Sequence, residues 1–223
     1  MSLAWRNSRF CKMRLERRTV AYDARAPLRT RLLILGSSSP RRSQLMAEDG
    51  YTFEVVASEA EESNFIVSDL GELVAGNALS KARWVAERHP EAIVIGADTL
   101  VAIDGEALGK PRDMDEAVQM MGRLAGRTHE VSTGVALCCT ELSRFEKFYV
   151  VTRVTFKELD REQIAGYFAK VNPLDKAGAY GAQEHGDEII ERIDGSWSNV
   201  VGLPMEELRV RYEAFLQSME VTA

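Results

Sequence analysis

The chain is 223 residues long, 45% hydrophobic and 28% charged, with a formal net charge of −6 at pH 7. That length supports one large domain or two small ones around a sizeable core, and no apolar run approaches the ~20 residues a bilayer-spanning helix needs. Cys11, Cys138 and Cys139 show no C-x-x-C spacing, and His89, His129 and His185 lie far apart. This argues against a disulfide framework, a zinc site or a His-based metal centre, and suits a reducing, cytoplasmic setting.

Residues 1–30 carry no clear period and are rich in arginine. They have no long apolar core, so they do not read as a secretory signal. Glu16 and Asp23 weaken a transit-peptide reading, and the plainer expectation is a disordered or non-native extension. With that basic start set aside, the body is more acidic than the whole chain. That argues against specific nucleic-acid binding, though not against a small anion in a locally basic pocket.

Leu32 to Leu35 predicts a short buried strand, broken by Gly36. Ser39 suits an N-cap and Pro40 the first helical position, with a short helix running to Asp49. Ser37, Ser38, Ser39, Arg41 and Arg42 therefore stand where a strand hands over to a helix N-terminus. Free backbone N–H groups, hydroxyls and two guanidinium groups there suit phosphate oxygens. The plain alternative is a capped helix with two solvated arginines.

Tyr51 to Ser58 predicts a second strand, followed by an acidic loop at Glu61-Glu62. Asp69 to His89 has apolar residues at helical spacing, with Ser68 or Asp69 as cap and Pro90 as stop. Lys81 and Arg83 in it are either solvated charges or functional. Ala92 to Ile103 is apolar nearly throughout, as in a strand covered on both faces, but Asp98 interrupts it. A buried lone carboxylate costs several kcal/mol, so Asp98 should meet a cation or do chemistry. Its alternative is to bond nearby backbone at a strand end.

Asp104-Gly105 predicts a hairpin whose return run brings Lys110 back near Asp98. Asp113 with Glu116 suggests a capping box for a helix to Leu124, ended by Gly126. His129 to Cys139 and Phe148 to Phe156 predict an antiparallel pair, and Asp160 to Lys170 a capped helix. The stretches 173–183 and 195–204 read as shaped glycine-rich loops, and Met205 to about Met219 as a closing helix.

Carboxylates that hold a divalent ion, ringed by lysine and arginine, are what phosphoanhydride chemistry needs. Glu61, Glu62, Asp98, Lys81, Lys110, Lys176 and the serine-arginine loop supply those parts. Specific motif text runs in one order: SSSPRR at 37–42, SKAR at 80–83, GADTLV at 96–101, GKPRD at 109–113, HEVSTG at 129–134, DKAGAYGAQ at 175–183 and GSWSNVVGLP at 195–204. In this the chain resembles the Maf proteins, nucleoside-triphosphate pyrophosphatases of the Maf/Ham1 superfamily. The resemblance covers residues 31 to about 215, within a single domain placed at 31–219, and leaves the extension outside.

The resemblance implies an α/β fold of the Maf/Ham1 (ITPase-like) type, with an elongated mixed sheet, flanking helices and a central cleft between two lobes. It implies hydrolysis of a nucleotide at the α–β phosphoanhydride with Mg²⁺ or Mn²⁺. By position, Asp98 resembles the proton acceptor and metal partner, and Glu62 a carboxylate that assists the metal. Lys81, Lys110 and Arg42 match residues on the phosphates, and Ser37, Ser39 and Arg41 belong to the loop that cradles them. Arg41, Thr99 and Gln183 match positions tied to base choice. The Tyr-Gly-x-Gln form at 180–183 looks like the dTTP/UTP-preferring branch rather than the 7-methyl-GTP branch. Ala182 departs from the family, which often has isoleucine there. The implied partner is a small-molecule nucleotide, with a homodimer as the assembly allowed for and no membrane. A nucleotide-sensing regulator of septum formation with little turnover is the competing reading.

Overall fold

The computed structural model describes residues 31–63 and 69–220. The 1–30 extension and Ser68, the alternative helix cap, lie outside the described residues. Seven strands form one mixed sheet in the order β2-β1-β3-β5-β6-β7, with β4 added beside β3. They are β1 (Leu33–Leu35), β2 (Glu54–Val55), β3 (Ile93–Ile103), β4 (Glu106–Leu108), β5 (Thr128–Cys139), β6 (Arg144–Phe156) and β7 (Ile190–Asp194). β1 runs parallel to β2 and β3, and every other pairing is antiparallel.

The helices are α1 (Pro40–Glu48), α2 (Leu70–Ala86), α3 (Met114–Leu124), α4 (Arg161–Phe168), α5 (Gly186–Ile189), α6 (Trp197–Val201) and α7 (Met205–Glu220). α2 starts at Asp69, whose carboxylate accepts from the backbone N–H of Gly71 and Glu72. α4 carries a full capping box between Asp160 and Gln163. α3 has only half of the box expected for it. Asp113 accepts from the Glu116 N–H, but the Glu116 carboxylate reaches past the cap to the Arg112 N–H. The Ser39 hydroxyl makes no cap bond to α1, so Pro40 and the backbone geometry set that start.

Other expectations are corrected in length or kind. The second strand shrinks to two exposed residues, because its partner β1 is itself only three residues long. The 195–204 stretch contains α6, capped by Ser196 through its bond to the Asn199 N–H. α5 and β7 have no counterpart among the predicted elements. β7, Ile-Glu-Arg-Ile-Asp, has no strict alternation to mark it as a strand; it lies at an edge and is held by pairing to β6.

β3 explains the cleft. Its first part pairs with β1 as far as Leu35↔Ile95, and its last part pairs with β4 only from Val101↔Leu108. Between these partners the edge of Gly96 to Leu100 is left to other groups. On one side lie the clusters around β1: Leu35, Met46, Ile95 and Leu208 on one face, and Ile34, Ala78, Val85 and Val94 on the other. On the other side Val101, Met121, Phe156 and Tyr167 form a separate core under α3 and α4. The two lobes share β3, and the cleft opens at its unpaired stretch.

The turn from β3 to β4 has Asp104 at φ 55° and Gly105 at φ 78°, the left-handed pair that a two-residue hairpin requires. α2 lies unusually close on the other part of the sheet. A Cβ on Gly134 would come within 2.2 Å of the Val74 backbone, and one on Gly96 within 2.2 Å of the Ala78 carbonyl oxygen. Both glycines therefore set the height of α2 above β3 and β5. Gly134→Ala is expected to lower stability by about 1–3 kcal/mol. Gly76→Ala, on a helix position with open space around it, should be neutral or stabilising by up to about 1 kcal/mol. Urea unfolding of the two variants checks the contrast.

Candidate active site

A cleft of about 560 Å³ is lined by the loop after β1, the start of α1, Glu62, Lys81 of α2, the middle of β3, Gly109 and Lys110 after β4, and the 173–183 loop. Along β3, Val94, Gly96 and Asp98 face α2, while Ile95, Ala97 and Thr99 face the opposite way, as strand alternation requires. Asp98 and Thr99 therefore serve two different constellations.

The first is built on Asp98, which is 6% exposed. Its Oδ1 accepts from Lys81 Nζ at 2.7 Å and its Oδ2 from Asn77 Nδ2 at 3.0 Å. Both donors come from α2, one turn apart on the same face. Lys81 also reaches Glu62 Oε1 at 2.6 Å, so one ammonium stands between two carboxylates. The cation expected for the buried carboxylate is thus Lys81, and the backbone alternative is not what the strand uses. Asn77 was not singled out by sequence reasoning. Its signal was present: a polar residue on the apolar stripe of α2, four positions before Lys81.

The second constellation is built on Arg42. Its Nε donates to the Gly202 carbonyl at 2.8 Å, Nη1 to Ser37 Oγ and the Ala97 carbonyl at 3.0 Å each, and Nη2 to Thr99 Oγ1 at 2.9 Å. Burial lowers the guanidinium to about 10, with the Asp98 charge acting against that shift, so it stays charged at neutral pH. Arg42 ties α1, the serine loop, β3 and the end of α6 together, and most of its donors are spent on protein. Thr133 Oγ1 donates to the Asn199 carbonyl at 3.0 Å, so Thr99, 3.0 Å away, gives its proton to Thr133. Thr99 is held in this chain at the cleft wall.

The far wall comes from Gly109 and Lys110, just after β4, and the 173–183 loop. Lys110 is exposed on the cleft and makes no ion pair or hydrogen bond among the described residues. Lys176 is buried, with Nζ donating to the Asn172 carbonyl and Asp175 Oδ1 at 2.8 Å each and lying 3.2 Å from Glu184 Oε2. Asp175 also faces Arg41 across the cleft at 3.6 Å. Burial works against the Asp175 charge, but the bond and charge of Lys176 and the charge of Arg41 hold its carboxyl below the usual range. Gly178 and Ala179 both have left-handed φ, near 67° and 68°. That tight turn, fastened by Gly178 N–H to the Gly109 carbonyl, aims Lys176 and Tyr180 at the cleft. Gln183 is placed elsewhere: it is exposed, outside the cleft lining, and its Nε2 lies 3.3 Å from Glu184 Oε1.

The cleft has two ends of different chemistry. Glu62, Lys81 and Asp98 join at one, which is polar, and Val101, Val131, Ala177, Tyr180 and Val200 pack together at the other, which is largely apolar. No group of three or more His, Cys, Asp or Glu side chains forms a metal cage among the described residues. The paired Glu62 and Asp98 oxygens around one ammonium do fit a hard cation of the Mg²⁺ kind. Such an ion is commonly held by one or two carboxylates and completed by substrate phosphates and water.

Beneath Tyr180 lies His129, 2% exposed, with Nε2 at 2.8 Å from the Tyr180 hydroxyl. The Phe156 ring packs edge-on at 4.8 Å between centroids, and the buried Nδ1 has no hydrogen-bond partner among the described residues. Burial lowers His129 to about 4, and it pushes the Tyr180 hydroxyl up. The native state therefore holds His129 neutral where the unfolded chain, near 6.5, takes up a proton. Its contribution to stability is complete above about pH 6.5 and is lost as pH falls toward 4, amounting to roughly 3 kcal/mol. Denaturant unfolding between pH 7 and pH 4 should show a shallower pH dependence for His129→Gln than for the wild type.

Comparison with known proteins places this geometry in a family. The family model described as "Maf-like protein" matches residues 32–215. The dTTP/UTP pyrophosphatase of Bacillus cytotoxicus is 49% identical over 175 residues, covering 78% of this chain and 91% of that protein. The dTTP/UTP pyrophosphatase of Symbiobacterium thermophilum is 50% identical over 175 residues, covering 78% of this chain and 88% of that protein. Among solved structures, the Staphylococcus aureus Ham1 protein aligns over 82% of this chain and 99% of its own, at 14% identity and a TM-score of 0.48. A match across most of the chain, with relatives near half identical, means that this protein belongs to the Maf-like family.

Proposed function

We propose that the chain hydrolyses nucleoside triphosphates, dTTP and UTP in preference, at the α–β phosphoanhydride to the monophosphate and pyrophosphate. The observation that carries the reading is Asp98, a carboxylate on the cleft floor oriented by two donors and flanked by cations. The relatives named dTTP/UTP pyrophosphatase support the substrate class. One water is consumed, one anhydride P–O bond breaks, and the water's hydrogens pass to the two products.

In this reading Asp98 accepts the proton from the attacking water. The serine loop before α1 offers hydroxyls and backbone N–H groups to the phosphates. Lys110 is an ammonium with no other partner among the described residues, and Lys81 can turn from its carboxylates toward phosphate oxygens. Arg42 serves differently from the expectation for it, holding the loop and β3 in place more than gripping phosphate. Asp98 and Glu62 would hold a divalent cation, which neutralises phosphate charge when bound. The apolar end around Tyr180 and Val101 suits a pyrimidine base, with Arg41 and Thr99 beside it. A housekeeping role in the nucleotide pool follows as the cellular purpose. A regulator that only binds nucleotide would have no need of an oriented base on the cleft floor.

Asp98→Asn keeps the side-chain shape but cannot take the proton. Pyrophosphate release with dTTP and Mg²⁺ is expected to fall by about 10²–10⁴-fold while the variant still unfolds cooperatively. Retention of more than about a tenth of kcat would exclude the assignment.

Base preference is tested on a panel of dTTP, UTP, CTP, GTP and 7-methyl-GTP. A mismatched buried polar group costs ~1–3 kcal/mol, so kcat/KM for dTTP and UTP should exceed that for GTP by roughly ten- to a hundredfold. Arg41→Ala is expected to flatten this preference more than Gln183→Ala. Arg41 already lines the cleft, whereas Gln183 must first turn inward from its contact with Glu184. A panel led by GTP or 7-methyl-GTP would overturn the pyrimidine reading.

A further inference from the structure

We propose that Asn77 is a positioning residue whose amide fixes the Asp98 carboxylate and the end of the Glu62 loop in one relation. The inference rests on the reading of Asp98 as proton acceptor. Asn77 is 5% exposed and sits four residues before Lys81 on α2, so the two side chains leave the same helix face. Each supplies one donor to Asp98, Lys81 to Oδ1 and Asn77 to Oδ2. Their joint effect is to hold both oxygens, and so the plane of the carboxylate.

The rest of the Asn77 amide is spent on the loop. Its Oδ1 accepts from the Ser63 N–H at 2.9 Å, and its Nδ2 donates to the Ser63 carbonyl at 3.2 Å. The amide pairs with that peptide as a neighbouring strand would. Ser63 follows Glu62, whose carboxylate meets Lys81 at 2.6 Å. One side chain thus links both carboxylates of the site, one directly and one through the loop backbone.

Among side chains of this volume only an amide does both. An aspartate would turn acceptors toward Asp98 and could not donate to the Ser63 carbonyl. An alanine or leucine would favour the helix more, yet would leave Asp98 Oδ2 and the Ser63 peptide without this partner. Helix propensity and packing therefore do not account for an amide on the buried stripe between Val74 and Ala78. The demand comes from the carboxylate opposite.

The test compares Asn77→Asp, which keeps the volume, Asn77→Ala, and Asp98→Asn by kcat, KM and thermal unfolding. Loss of alignment at a reacting group costs about a hundredfold in rate. Both Asn77 variants are expected to lose about that much kcat, with KM for the triphosphate within about threefold of wild type. Ser37, Ser39 and Lys110, which face the phosphates, are untouched by either change. Suppose Asp98→Asn is inactive while a folded Asn77 variant keeps kcat within about twofold; the positioning role is then wrong and the Asp98 reading stands. If Asp98→Asn itself remains active, the Asp98 reading fails and this one fails with it. Loss of cooperative unfolding in both Asn77 variants would make Asn77 a fold residue and likewise overturn the proposal.

Discussion

A carboxylate set in the covered part of a strand has to be met by donors, and much of the first lobe is arranged around meeting Asp98. The donors come from α2, which must lie close enough for an asparagine and a lysine to reach β3. Gly96 and Gly134 allow that approach because a Cβ at either would strike the helix backbone. The alanines of α2 continue the same close contact at Ala78, Ala82 and Ala86. Packing density and site chemistry are therefore one constraint here. A change that lifts α2 off the sheet also uncouples Asn77 and Lys81 from Asp98.

The cleft arises from how β3 shares its partners. β1 ends early and turns into the serine loop, while β4 joins late, after the hairpin. The backbone between them needs other partners, and Arg42 supplies one by donating to the Ala97 carbonyl. This guanidinium closes the floor and fastens α1 and α6 to the same strand. Buried backbone acceptors without partners cost about 1–3 kcal/mol each, which is why a long side chain is tied down at a place that otherwise invites ligand.

Charge is distributed to match. Lys81 is balanced by two carboxylates and Lys176 by Asp175 and Glu184, so both ammonium groups are held at rest. Lys110 has no such partner among the described residues, and Arg41 has only the longer contact to Asp175. An anion entering the polar end would therefore meet one free cation and several that must exchange partners. The acidic body and the locally cationic cleft are compatible because the cations are gathered by the loops rather than by overall composition.

Much of the frame was legible in residues 31–219. Local signals act over a few positions, so the caps at Asp69 and Asp160, the Asp104-Gly105 turn and the long apolar strand needed no tertiary context. Motif order along the chain was enough to name the family. The short elements β2, α5, α6 and β7 were shortened or missed because pairing and packing across the chain, not propensity, hold them. Side-chain partners were decided only in three dimensions. That Arg42 spends donors on Gly202 and Thr99, and that Asn77 joins Asp98 to the Ser63 backbone, depend on contacts 14 to 160 residues apart in sequence. Residue type fixes how many donors and acceptors a side chain brings; only the packed chain decides which groups are near enough to take them.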